Sequence, residues 1–359
     1  MAESSSVVRP EPKDSSSYSA ASRLQAAGLQ PAIAVFEGAA AAVPIPGPPQ
    51  PIVIADYGAG NGLNSLLPVG AAIAVLRKRT RPEHSVLVAH TDRADNDFTA
   101  LFHTLESDPD SYLHRDRATF ASAVGRSFYS QILPSNSVNL GWSAWAIHWL
   151  TRVPGAIEGH IQVDFCSDDA VRTAFARQAA HDWHEFVAFR GRELCPGGRL
   201  VVMTMAVGED GDCGFRPLMA AMVEVLDELA GDGLLNADEL TRMCIPTFAR
   251  RAADFAAPFA PSGRFERLEI EHLEIFDAAD RFFDRYRTDR DAEAFGARWG
   301  GFARAAVFPA LAQSLNGGAA DPRLDEFFDR LEKGIVTRLS AAPSQTRIPL
   351  AHVVLVKQQ

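Results

Sequence analysis

A short apolar run, Ile52-Val53-Ile54-Ala55, ends in Asp56-Tyr57-Gly58-Ala59-Gly60-Asn61-Gly62, and that junction restricts the chain more than any other feature. β-Branched residues without polar interruption read as a strand buried on both faces, as in a parallel sheet covered by helices. Glycines lack Cβ atoms, so the backbone can turn tightly and a ligand can approach it closely. The helical pattern that follows, Leu66 to Lys78, would offer free N–H groups and a positive dipole end to an anion. A dinucleotide fingerprint would place its third glycine at position 63, which is Leu63. The GxGxG spacing favours the methionine carboxylate of S-adenosylmethionine over a pyrophosphate. A plain glycine-rich turn between strand and helix is the alternative.

The alternation of strand and helix continues. Ser85–His90 and Val138–Trp142 read as second and third strands. A helical stretch covers about 168–194, and Pro196-Gly197-Gly198 turns into a fourth strand, Arg199–Thr204. This pattern predicts an α/β fold with a doubly wound, Rossmann-like parallel sheet. Residues 18–40 have helical periodicity, with Leu24, Leu29 and Ile33 on one face, and the proline-rich stretch Pro44–Pro49 ends that helix. From 210 to 345 the pattern is mainly helical, with strand character near Phe265–Phe276, before His352–Val356 returns to the sheet. The expected organisation is a disordered N-terminal arm (1–17), a nucleoside-binding core (18–209), a mainly helical substrate cap (210–345) and a final core strand (346–359).

Net charge is −10 over 359 residues, and no basic run exceeds Arg77-Lys78-Arg79, so no nucleic-acid partner is expected. The four cysteines, Cys166, Cys195, Cys213 and Cys244, form no close pair and no CxxC. They read as free thiols in a reducing compartment. No apolar stretch reaches the ~18 residues of a membrane span, and the N-terminal residues lack the apolar region of a signal peptide. The chain is expected in the cytoplasm, with no membrane partner.

Asp92 follows the second strand, where an acidic side chain can accept hydrogen bonds from two ribose hydroxyls. Other landmarks come in a fixed order. They are Ser17-Tyr18 with Ser22 and Gln25, then Ala55–Gly58 through Asn64-Ser65-Leu66, then Asp92 with Asn96-Asp97-Phe98. Next come Gly125-Arg126-Ser127-Phe128-Tyr129 with Leu133-Pro134, Ser143–Leu150 with Val153-Pro154, and Glu193-Leu194-Cys195-Pro196-Gly197-Gly198-Arg199. This series resembles, nearly end to end, the SABATH methyltransferases, which methylate carboxylates or, in some members, ring nitrogens.

The resemblance implies S-adenosylmethionine as cofactor, held by Tyr18, Ser22, Asp56, Gly58, Asn64, Asp92, Arg93, Ser127 and Phe128. Phe128 would stack on the adenine and Asp92 would hold the ribose. Gln25 and Trp149 would meet the carboxylate of a small acid, with Trp145, His148 and Met219 lining the substrate site. The family tends to form homodimers, so a second copy is an expected partner. Arg93 stands where relatives have leucine, and Trp145 where they have tyrosine. Met243-Cys244-Ile245-Pro246 stands where some relatives keep F-N-I-P near a metal, and no metal is expected here.

A carboxylic acid of pKa about 4.3 is ionised at neutral pH and needs no general base. The site has to hold a carboxylate oxygen in line with the sulfonium methyl. Neutral donors, the Gln25 amide and Trp149 indole, stabilise the ionised ground state less than an arginine would. His148 then reads as a neutral donor or packed ring rather than a base. His181 and His184, beside Asp182 and Glu185, read as a solvated helix face rather than a metal site. Pro217-Leu218-Met219-Ala220-Ala221-Met222 stands where aromatic-acid relatives place a cap tryptophan. Methionine is unbranched and fills irregular apolar space, so Met219, with Met203 and Met205, predicts a pocket for a flexible alkyl chain. The expectation is a bacterial-type member making methyl esters of medium-chain fatty acids. Alternatives are an aromatic or terpenoid acid, N-methylation of a ring, or a non-catalytic binding protein.

Overall fold

The computed structural model describes residues 29–359, so Tyr18, Ser22, Leu24, Gln25 and the arm expected at 1–17 lie outside the described residues. At its centre is a seven-stranded sheet of β1 (Ile52–Tyr57), β2 (Val86–Asp92), β3 (Thr119–Gly125), β4 (Val138–Ala144), β5 (Leu194–Met205), β6 (Leu268–Asp277) and β7 (Pro349–Lys357). The spatial order is 3-2-1-4-5-7-6. β1 to β5 run parallel, and β7 lies antiparallel between β5 and β6. The sheet is therefore mixed rather than wholly parallel. β6, from within the segment read as a helical cap, forms one of its edges. β3 forms the other edge and is not foreshadowed by the strand pattern. Its small, mostly half-exposed residues lack the apolar run of a central strand.

The longer helices are α1 (Gln30–Ala42), α2 (Leu63–Arg77), α3 (Phe98–Ser107), α4 (Asp169–Glu193), α5 (Arg216–Gly231), α6 (Ala292–Ala306) and α7 (Leu324–Ala341). Successive strand residues point to opposite faces. On β1, Ile52 and Ile54 join the core that contains α1 and α2, while Ala55 and Tyr57 join a second core with Trp183, Phe186 and Val187 of α4. Helices therefore cover both faces, as double winding requires. α1 buries Ala32, Phe36, Ala39 and Ala40, with Ile33 only half-buried, and runs through the alanine tract to Ala42.

The Asp168 carboxylate caps α4, accepting from the Ala170 and Val171 amides at 2.7 and 3.3 Å. His181 and His184 are exposed, but Asp182 departs from the solvated reading of this face. It is buried and accepts from the Thr151 amide and hydroxyl at 2.9 and 2.7 Å. α7 packs against both α5 and α6, and all three share the core that contains Ile52 and Ile54 of β1. A Cβ on Gly296 of α6 would sit 2.6 Å from the Val336 carbonyl of α7, so only glycine lets these two helices approach this closely. Among the described residues no helix is long and apolar enough to cross a membrane.

Candidate active site

The strand order reverses between β1 and β4, and ligands of open α/β sheets bind beyond the carboxyl ends of strands at such a point. A cavity of about 900 Å³ opens there. That volume is near the upper limit of the ~300–1,000 Å³ usual for ligand sites, enough for two bound molecules.

One half is built from the turns after β1, β2 and β3. Gly58 has φ +87°, and a Cβ on it would lie 2.5 Å from Ala146 Cβ. The turn therefore needs both the left-handed conformation and the missing side chain. Asp92 is the last residue of β2. Its carboxylate accepts from the amides of Gly60 and Arg93, each at 2.7 Å, and so ties the second strand to the glycine turn. Burial raises the Asp92 carboxyl above its ordinary value, and the two amides pull it back. Asn96 closes the other side of the turn, donating to Gly60 O at 2.8 Å. Gly58, Asn64, Asp92, Arg93, Ser127 and Phe128 all line this half. Asp56 does not. Its carboxylate turns into the protein, where it accepts from Ser65 Oγ at 2.6 Å and lies 2.8 Å from His90 Nδ1. Asp56 shapes the turn from behind.

The other half begins at the end of β4. Trp145 has φ +56°, an uncommon conformation for a bulky residue, and its indole N–H is buried with no hydrogen-bond partner among the described residues. Strained backbone and orphaned buried donors concentrate where a protein binds something. His148 is buried, its Nδ1 3.3 Å from Thr204 Oγ1. Burial and then the nearby Arg250 guanidinium push its imidazole down to about 3, so it is neutral at physiological pH. Arg250 is itself buried and donates to the carbonyls of Ile147 and Ala179 at 2.7 and 2.8 Å. Tyr129, one residue past Phe128, donates its hydroxyl to Trp149 O at 2.9 Å and joins the two halves.

Trp145, His148, Trp149 and Met219 line this second half, with Met205. Met203 does not: it lies one pleat deeper and is wholly buried in the core. Ala221 and Met222 are core as well. Sequence reasoning missed Gln162, Asp164 and Phe165 at a short 3₁₀ turn, Phe215 before α5, and Phe302, Ala305 and Ala306 on α6. No local signal marks them, because long-range packing alone brings them to the cavity. Phe215 and Phe302 are nearly parallel, 7° apart with ring centroids at 6.3 Å. Among the described residues there is no group of three or more side chains suited to hold a metal ion.

A Rossmann-like sheet with a glycine turn at its reversal point and an aromatic second chamber defines a methyltransferase-type domain. The chain belongs to the SAM dependent carboxyl methyltransferase family, whose model matches residues 5–358. It is 28% identical over 239 residues to a salicylate carboxymethyltransferase of Clarkia breweri, a match covering 63% of this chain and 64% of that protein. The match thus spans slightly less than two thirds of that relative's length. Gibberellic acid methyltransferase 1 of Arabidopsis thaliana is 26% identical over 280 residues, covering 71% of this chain and 73% of that one. A solved loganic acid methyltransferase with SAH shares the fold, with a TM-score of 0.76 at 20% identity over 98% of this chain and 99% of that one.

Proposed function

We propose that the chain transfers a methyl group from S-adenosylmethionine to the carboxylate of a small apolar acid, with medium-chain fatty acids foremost, giving a methyl ester. The observation that carries the reading is the division of one cavity into a glycine-cradled half and an apolar half, joined along Trp145 to Trp149. The first half fits the cofactor: the turn at Gly58 leaves no room for a Cβ, Asp92 offers acceptors at a strand end, and Phe128 offers an aromatic face. Tyr18 and Ser22 would complete it. When bound, S-adenosylmethionine supplies an electrophilic methyl on its sulfonium.

The rest falls to the protein's own residues. The substrate carboxylate arrives ionised. The indole N–H groups of Trp149 and Trp145, with the Gln25 amide, orient it without a cation. Among the described residues the cationic side chains lining the cavity are Arg93 and Arg126, both in the first half. Leaving the carboxylate without a fixed positive partner avoids stabilising the ground state over the transition state, in which charge is being neutralised. Neutral His148 packs between the tryptophans, 6.2 Å from Trp145 and 5.6 Å from Trp149 by ring centroids. No metal takes part, so activity is expected to survive excess EDTA.

Met205 and Met219 support an alkyl chain as the substrate's apolar part. The parallel rings of Phe215 and Phe302 favour a second reading, an aromatic acid. A panel of straight-chain acids run beside benzoate and salicylate with labelled S-adenosylmethionine separates the two. Identification of the product as an ester or an N-methyl compound tests the reaction class.

A further inference from the structure

The apolar half of the cavity contains one polar patch that a bare hydrocarbon would leave unused. Gln162, Asp164 and Thr247 line it together. Gln162 and Thr247 are buried, and each residue is fixed by its neighbour. Gln162 Nε2 donates to Asp164 Oδ2 at 2.6 Å and lies 3.4 Å from Thr247 Oγ1, while Gln162 Oε1 accepts from the Asp164 amide at 2.7 Å. The Ala249 amide adds a long contact to Asp164 Oδ2 at 3.4 Å. Thr247 is held against Trp149 by a backbone bridge, so the patch is anchored beside the residue placed at the reacting carboxylate.

Both bonds go to Oδ2. Among the described residues, Asp164 Oδ1 has no hydrogen-bond partner, no cation lies within salt-bridge distance of the carboxylate, and the Thr247 hydroxyl donates to nothing. Asp164 is half-buried between this cavity and a second one lined by Arg172 and Arg251. A carboxylate so placed without an ion pair is costly to keep, even though the Arg251 charge offsets part of the cost. Burial lifts its acid up to about 6, the direction that cost implies. A ligand group that donates to Oδ1 and accepts from the threonine hydroxyl would satisfy both, and an alcohol is the simplest group that does each.

We propose that the acid this site takes carries a hydroxyl group besides its reacting carboxylate, held by Asp164 Oδ1 and the Thr247 hydroxyl, so that Asp164 selects hydroxylated apolar acids over their unsubstituted counterparts. The inference rests on the reading of this cavity as a carboxyl-methylation site. It adds to that reading a second polar contact and the class of acid.

The test compares matched pairs on two skeletons: octanoic acid against a positional series of hydroxyoctanoic acids, and benzoic acid against the hydroxybenzoic acids. The full chain should prefer at least one hydroxylated isomer by about tenfold or more in kcat/KM, the usual scale for a hydrogen bond to a charged group. Asp164→Ala should bring that ratio to within about twofold of unity, with the dissociation constant for S-adenosylmethionine unchanged. Asp164→Asn keeps an acceptor oxygen and should retain part of the preference. The readout is a ratio of two substrates on one preparation, so partial misfolding of a variant does not alter it. Turnover with no hydroxyl preference, or a preference that Asp164→Ala leaves intact, overturns the inference alone. Failure of every acid on both skeletons overturns the carboxyl-methylation reading and the inference with it.

Discussion

Arg190 Nη2 and Glu193 Oε1 meet at 2.9 Å with neither side chain exposed, and between them they hold the loop that carries Ser127 and Phe128. Arg190 donates to the carbonyls of Phe128 and Ser130 at 2.7 and 2.9 Å. Glu193 accepts from the amides of Ile132 and Leu133 at 2.6 and 3.0 Å, and from the Tyr57 hydroxyl at 2.8 Å. The guanidinium also lies 4.3 Å from the centre of the Tyr57 ring. Tyr57 immediately precedes Gly58. One buried pair at the end of α4 thus holds the Phe128 ring against the glycine turn, where its Cε1 would lie 3.5 Å from a Cβ on Gly58.

Glu193→Gln keeps the shape but leaves the Arg190 charge buried and uncompensated. Breaking a buried pair in this way costs about 3–5 kcal/mol. Urea or thermal unfolding should show a loss on that scale. In the protein that remains folded, affinity for S-adenosylmethionine should fall as well. Unchanged stability would mean that Arg190 is satisfied by its two carbonyl bonds alone.

Gly58→Ala should abolish measurable cofactor binding while leaving the sheet folded. The left-handed conformation alone costs a side chain about 1–2 kcal/mol. The new methyl would also press on Ala146, which lies between Trp145 and Ile147. Titration calorimetry with S-adenosylmethionine reads the loss, and far-UV circular dichroism checks the fold. Near-normal affinity would show that the turn can relax and that the cofactor approaches elsewhere.

Asp92 gives a prediction with a sign. Its carboxyl is raised by burial, so it takes up a proton at a higher pH than a free aspartate. The ionised form is the better acceptor, so cofactor affinity should weaken as pH falls through that raised value and recover above it. Asp92→Asn removes the titration and should leave a pH-independent deficit of about 1–3 kcal/mol. Calorimetry across pH compares the two. Parallel pH responses would remove Asp92 from the ribose contact.

The site residues legible from local pattern share a physical origin: they sit at the carboxyl ends of strands, where short-range order fixes both the residue and its direction. Gly58 and Asp92 are of this kind. Trp145 and Trp149, past the end of β4, are legible only through the resemblance to the SABATH methyltransferases, and all four line one cavity. β7 was legible as a strand because of its apolar run, but its antiparallel direction is set by the connection from α7, which no local pattern encodes. β3 escaped because Thr119-Phe120-Ala121-Ser122 has neither a continuous apolar run nor a clean alternation. Met203 and Met205 look equivalent by period, yet only the one nearest the strand end reaches the cavity. Asp164 and Phe302 were invisible because they come to line the same cavity from positions more than a hundred residues apart in the chain.

The pH profile tests the role of His148. Its imidazole is pushed down to about 3 by burial and Arg250, so its titration falls well below the range in which the substrate is ionised. The kcat/KM for the acid should therefore be flat above about pH 6. His148→Ala should lower the rate without adding or removing an inflection. Trp149→Phe, which removes the indole N–H together with part of the ring, should lower kcat/KM about 10- to 100-fold, also without changing the profile. A histidine-like rise that vanishes in His148→Ala would make His148 a base.

If the acid is an alkyl one, as proposed, Met219 should set its shape. It is buried in the same core as its neighbours Leu218 and Met222, but of the three only Met219 also lines the cavity. One flexible side chain therefore sets this part of the wall. Each methylene buried there is worth about 0.8 kcal/mol, a factor of about four. Across straight-chain acids, kcat/KM should climb by several-fold per carbon and then fall once the chain outgrows the space. Met219→Trp puts a rigid ring into that space. It should cut kcat/KM for octanoate about tenfold or more, the scale of one to two buried methylenes displaced or strained. Activity on benzoate should fall less, so the ratio of benzoate to octanoate rises, and affinity for S-adenosylmethionine should not change. Steady-state kinetics on both acids, with the native chain alongside, measures that ratio. If Met219→Trp lowers both acids equally, Met219 is packing for the cap helices, and Phe215 with Phe302 becomes the surface that reads the substrate.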